Sequence, residues 1–233
     1  MNKLVFALLA PTDATGQAIE AALSPSLRTA AETAGARRIQ VNVVDDAFAG
    51  AMNLHTLPEP IVGLVAVWYD DADRDVVRDA VADVLTQAGV AHHGWEVEER
   101  EPLPGPEAAD GERVAAMSNL AFLRRPADLP YEEWRSIWQD SHTQVAIDTQ
   151  ATFGYVQNRV LEAITPGAPA VAAVVEELFP EAAATDIHAF YGSGGDKEEL
   201  KRRLGLMMAS VARFGADKDL DLVSTARRTW TLG

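Results

Sequence analysis

Two periods of apolar spacing alternate along this chain, and the switches between them mark its elements. Residues 3–10 form a short, unbroken apolar run, Leu4-Val5-Phe6-Ala7-Leu8-Leu9-Ala10 behind Lys3, which predicts a buried strand. A helix is predicted over 15–34, closed by Gly35, and a strand over 38–44. Pro58 and Pro60 punctuate the entry to a strongly apolar strand, 61–69. Behind Asp73, Val76, Val77, Ala80, Val81, Val84, Leu85 and Ala88 recur at steps of one, three or four, an amphipathic helix that Gly89 ends. A strand over 95–101 completes the order β-α-β-β-α-β.

Pro102-Leu103-Pro104-Gly105-Pro106 and the small and acidic residues after it have the composition of a linker. This divides the chain into an N-terminal half (1–104), a linker (105–113) and a C-terminal half (114–233). The second half repeats the order. A strand over 115–124 precedes a helix from Pro130 to about Gln150, followed by a strand over 153–161. A short helix over 170–179 is predicted next, then a strand over 186–191 and a turn at Gly192-Ser193-Gly194-Gly195. That turn lacks the spaced glycines and Lys-Ser/Thr ending of a phosphate loop. A helix opened by Asp196 and stopped by Gly215 leads to a last strand over 222–232. The expected fold class is α+β, a tandem of two ferredoxin-like halves, each with an antiparallel sheet.

Composition narrows the function. The 233 residues are 48% hydrophobic and 24% charged, enough to bury a core without disulfides. The chain has no cysteine, which excludes thiolate metal sites and cysteine nucleophiles. A formal net charge of −15 with scattered basic residues argues against nucleic acid and anionic membranes as partners. Pro11-Thr12-Asp13 stops the first apolar run without a small-residue cleavage site, so a strand explains it better than a signal peptide. No apolar stretch approaches the roughly 20 residues of a membrane span. A soluble, cytoplasmic protein is expected, with no cofactor and no metal. His92-His93 point to opposite faces of a strand, and no acidic cluster converges on them in sequence.

Candidate chemistry concentrates in 122–160. Trp134, Trp138 and His142 stand at i, i+4 and i+8, within about 80° of one another on one helix face, with Val145 between them. In one reading this is a core stripe with a histidine at its margin. In the other, a histidine that titrates near neutral pH serves as an acid–base group. Strand alternation places Tyr155, Gln157 and Arg159 on one face, and Asp186, His188 and Phe190 on one face of the strand predicted beside it.

Four motifs in this region carry a resemblance. Leu123-Arg124-Arg125-Pro126, Trp134 through Trp138-Gln139-Asp140-Ser141-His142, Tyr155-Val156-Gln157-Asn158 and Thr229-Trp230 occur in the order seen in the EthD domain family. The chain resembles that family over about 114–232, whereas its N-terminal half lacks the Trp-x-x-x-His motif. The resemblance implies a dimeric α/β barrel whose two sheets pack face to face, here built within one chain. It implies His142 as acid–base group with Tyr155 as partner, and a cleft lined by Asn119, Trp138, Gln157, His188 and Phe190. Such a cleft suits a small hydrophobic or aromatic ligand. The implied function is that of a cofactor-independent lyase, cyclase or monooxygenase acting on a carbonyl or phenolic compound. A non-catalytic ligand-binding protein and a haem-binding barrel are the alternatives, and a homodimer is a compatible assembly.

Overall fold

The computed structural model describes residues 1–9 and 16–233. Ala10, the expected stop at Pro11-Thr12-Asp13 and the predicted helix start at Thr15 lie outside the described residues. Eight strands make up the sheet: β1 (Asn2–Leu9), β2 (Ala36–Val43), β3 (Ile61–Tyr69), β4 (Ala91–Leu103), β5 (Met117–Leu123), β6 (Gly154–Ala163), β7 (Ala173–Phe179) and β8 (Asp221–Thr231). The helices are α1 (Gly16–Thr33), α2 (Arg74–Gln87), α3 (Tyr131–Ser136), α4 (Thr143–Thr149), α5 (Ile187–Tyr191) and α6 (Lys197–Val211), with a π-turn, Ile137–His142, between α3 and α4.

The expectation of two ferredoxin-like sheets packed face to face is overturned. All eight strands form one closed antiparallel barrel in the order β1-β3-β2-β8-β5-β7-β6-β4. The first four strands form one arc and the last four another, and backbone ladders fuse the arcs at both edges. β2 pairs with β8 from Arg38↔Thr231 to Val43↔Ala226. β4 is long enough to pair with β1 through its first part and with β6 as far as Leu103↔Tyr155. Closure leaves no unpaired edge, and an exposed edge is a standing liability of open sheets.

The apolar pattern is used on both faces of the barrel wall. Val5, Ala7, Leu64, Ala66, Trp95, Leu120, Phe122, Val174 and Val223 fill the interior. Leu4, Phe6, Leu8, Val65 and Val67 face outward and are covered by Leu23 and Leu27 of α1 and Val77, Val81 and Leu85 of α2. The outer face of the second arc is covered by α3, the π-turn, α4 and α6. No helix among the described residues is long and apolar enough to cross a membrane.

Two local expectations exchange places. Residues 173–179, expected as a helix, are the central strand β7, hydrogen-bonded to β5 and β6. Residues 187–191, expected as a strand, are the helix α5. Asp186 caps it by accepting from the His188 N–H, and Gly192 ends it at φ 61°, a left-handed backbone that glycine adopts without steric cost. The predicted linker is also not slack. Gly111 N–H donates to the Thr229 carbonyl at 2.9 Å and Val114 N–H to that of Arg227 at 3.0 Å, which holds the segment along β8.

Candidate functional site

The covered outer face of the second arc is unusual in its polar content. Tyr155, Glu177, Asn119 and Ser224 are register partners on β6, β7, β5 and β8, so they form one row across four strands. Gln157 lies two residues along β6 on the same face. Its Nε2 donates to Thr143 Oγ1 at 2.8 Å and reaches the Tyr155 hydroxyl at 3.5 Å.

The helix above this row is built around the π-turn. Thr143 Oγ1 donates to the Gln139 carbonyl at 2.8 Å, and Arg100 from β4 donates to the same carbonyl at 3.0 Å. These bonds satisfy a backbone acceptor that the wider turn takes out of the regular ladder. The wider turn also shifts the buried face, so Gln139, His142, Thr143 and Ala146 are buried and Val145 is only partly so. Trp134 and Trp138 are fully buried, with ring centroids 5.1 Å apart.

Glu177 is the exceptional member of the row. Burial pushes its carboxyl up to about 8. Its Oε1 is sealed without a hydrogen-bond partner, while the residue as a whole is only partly buried. Beside it, burial and then the Glu177 charge push the Tyr155 hydroxyl far up, so it stays a proton donor. Gln157 and Trp138 also act on that hydroxyl. The Trp138 Nε1–H and Gln157 Oε1 are buried without partners of their own. Three buried polar atoms with spare capacity around one tyrosine are an exception to the rule that buried groups pair.

The expected site residues divide into two sets. Trp138, Tyr155, Gln157 and Asn119 are brought together on this face. Phe190 borders it from α5, stacked on Phe179 at 4.3 Å, with Tyr191 close enough to Glu177 to feel its charge. His188 sits on a helix rather than a strand, and its Nδ1 is 2.6 Å from Ser193 Oγ. His142 is 7% exposed and turned to α6, its Nδ1 2.9 Å from Ser210 Oγ and its ring 4.8 Å from that of Phe214. Burial, and then the nearby Arg213 charge, lower its pKa to about 4, so it is neutral at pH 7. The helix predicted over 170–179 hides Glu177 in the sequence, because helical spacing does not place it in a row with Tyr155 and Asn119. The available signal was Glu176-Glu177 within the apolar Val174-Val175 and Leu178-Phe179, which in a strand buries one carboxylate on each face.

No family model and no curated protein matches the sequence. Solved structures match in shape. An anthrone oxidase-like protein aligns over 100% of this chain and 94% of its own, with a TM-score of 0.57 and 12% identity. A "putative monooxygenase" from Lactobacillus acidophilus NCFM aligns over 100% and 96%, with a TM-score of 0.50 and 12% identity. At that identity the likeness is one of fold alone.

Proposed function

We propose that this chain is a small-molecule enzyme that works by proton transfer on the helix-covered face of its second arc, with Glu177 as the acid–base group. One observation carries the reading. A carboxyl with no hydrogen-bond partner, on a residue that is only partly buried and with its pKa pushed up to about 8, faces a tyrosine that keeps its proton. A base whose pKa lies near working pH combines a useful ionised fraction with strength. Tyr155 O–H and Trp138 N–H are then donors for an oxygen that gains negative charge as the proton leaves carbon. The aromatic walls, Trp138 and Phe190, suit a flat hydrophobic carbonyl or phenolic compound. The EthD-type motifs support this reading, because Trp138, Tyr155 and Gln157 belong to them. Within that frame the reaction is a cofactor-independent cyclisation, elimination or oxygenation that begins with an enolate, and His142 serves as a contact between the π-turn and α6.

Anthrone is the first probe, on the strength of the fold likeness. Its ring CH2 proton passes to Glu177, the C–H electron pair moves into an enolate, and the enolate reacts with dioxygen. The sum is anthrone plus O2 giving anthraquinone plus water. The test is anthrone loss and oxygen uptake, measured over the buffer rate for the wild type, Glu177→Gln and His142→Gln. Glu177→Gln should lower turnover by roughly 10²-fold or more with the fold intact, while His142→Gln keeps it within about threefold. Equal anthrone binding by the wild type and Glu177→Gln, with no acceleration by either, would instead identify a non-catalytic binding protein.

A further inference from the structure

Glu176 and Glu177 are neighbours on β7 and therefore face opposite sides of the barrel wall. Glu176 points into the barrel interior, where one end holds a cavity of about 320 Å³ capped by residues 104–110. This space is separate from the face described above. Its cap is anchored at both ends: an Arg227 guanidinium N–H donates to the Pro106 carbonyl at 3.3 Å, and Thr231 N–H donates to Asp110 Oδ1 at 3.0 Å.

The inner carboxylates are already paired. Glu99 accepts from Lys3 Nζ at 2.6 Å and from Trp68 Nε1 at 3.2 Å. Glu176 accepts from Gln40 and Asn42, each at 2.9 Å, and from Ser118 at 2.7 Å. Burial pushes both carboxyls up, but Lys3 beside Glu99 and Arg227 beside Glu176 outweigh it and hold both below the ordinary range. Both stay charged, so neither is free to take a further cation.

Unused capacity remains at two places. The Arg38 guanidinium lies 3.7 Å over the Trp68 ring and, among the described residues, has no hydrogen bond or ion pair. A stacked guanidinium presents its edge to a planar anion such as a carboxylate. Deeper in the cavity, Arg227 Nε–H is buried without an acceptor. At the cap, Glu101 and Glu107 have no cationic partner among the described residues. Five carboxylates (Glu99, Glu101, Glu107, Asp110, Glu176) line the cavity against three cations (Lys3, Arg38, Arg227). A plain anion would meet a net negative lining, and a plain cation would leave the guanidinium edge unmatched.

We propose that this cavity binds a small zwitterion of the amino-acid class, its carboxylate on Arg38 with Arg227 Nε–H behind it and its ammonium on Glu101 and Glu107. The site is a second one, independent of Glu177.

Isothermal titration of the full chain tests it with three matched series: ω-amino acids from glycine to 6-aminohexanoate, the carboxylates of the same lengths, and the amines. Arg38 and Glu101 are exposed, so Arg38→Gln and Glu101→Gln should leave folding intact. At least one amino acid should bind roughly tenfold or more tightly than its carboxylate and its amine. Each of the two variants should weaken that amino acid by about tenfold or more, as for a lost charge-assisted hydrogen bond, and Glu177→Gln should bind it as the wild type does. The proposal is overturned if no member gives heat at millimolar concentration. It is equally overturned if a carboxylate alone matches its amino acid, or if either Arg38→Gln or Glu101→Gln binds unchanged.

Discussion

The two arcs of the barrel present the same kind of surface to their helices and use it differently. On the first arc the covered face is Leu4, Phe6, Leu8, Val65 and Val67, packed against Leu23 and Leu27 of α1 and Val77, Val81 and Leu85 of α2. On the second arc the covered face holds Tyr155, Gln157, Glu177 and Asn119 beneath Trp138 and Thr143. Burial of apolar groups stabilises each arc, but the second gathers the unmatched Trp138 Nε1–H, Gln157 Oε1 and Glu177 Oε1 around one tyrosine, whereas the unmatched atom under α1 on the first is the isolated Ser24 hydroxyl. The first face is a core. The second buries polar atoms at a cost in stability, the pattern expected of the proposed site.

The comparison breaks most easily from the first arc. Val67 is fully buried there, so Val67→Glu should destabilise the protein by roughly 3–5 kcal/mol in urea unfolding, as an uncompensated buried charge does. A cost under about 1 kcal/mol would mean that the two faces tolerate carboxylates alike. The converse change on the second arc should stabilise. Glu177 has a folded pKa raised from 4.5 to about 8. Its contribution is therefore favourable below pH 4.5 and is lost as pH rises through about 8. Glu177→Leu should gain a few kcal/mol at pH 9 relative to wild type, and much less at pH 4.5.

His142 has the opposite sign. Its folded pKa is lowered from 6.5 to about 4, so the stability linked to it is present above pH 6.5 and is lost as pH falls towards 4. His142→Gln should flatten that acid limb by about 1–3 kcal/mol in pH-dependent melting, with the alkaline limb unchanged. The smallest effect is expected from Tyr155→Phe. The hydroxyl accepts a long contact from Gln157 and faces the Trp138 indole N–H, so stability should move by about 1 kcal/mol or less. Turnover of a carbonyl substrate should still drop, because the donor to the developing oxyanion is lost.

Much of this contrast was legible in the sequence, and the part that was not has physical causes. β3 spans the expected 61–69, and α2 and α6 begin at the expected Asp73 and Asp196 caps. Strand alternation and the motifs place Tyr155, Gln157, Asn119 and Trp138 at one cleft, and the structure brings them to one face. The barrel's closure was not legible, because the β2–β8 and β4–β6 ladders join segments far apart in the chain and leave no local signature. Residues 170–179 read as a helix because Ala170, Ala172, Ala173, Glu176 and Glu177 carry helical propensity, which ladders on both sides of β7 override. That one error hid Glu177 and placed His188 and Phe190 on a strand. The π-turn, invisible in composition, rotated His142 towards Ser210 rather than the row.

The central claim is that Glu177 is a carboxyl set apart by its surroundings, and it can be measured without knowing the substrate. The full chain, labelled with ¹³C at glutamate side-chain carboxyls, is titrated by NMR, with Glu177→Gln identifying the resonance. A midpoint near 8 is expected for Glu177. A midpoint at the ordinary 4 to 5 would contradict it, leaving the row a buried polar patch without acid–base capacity.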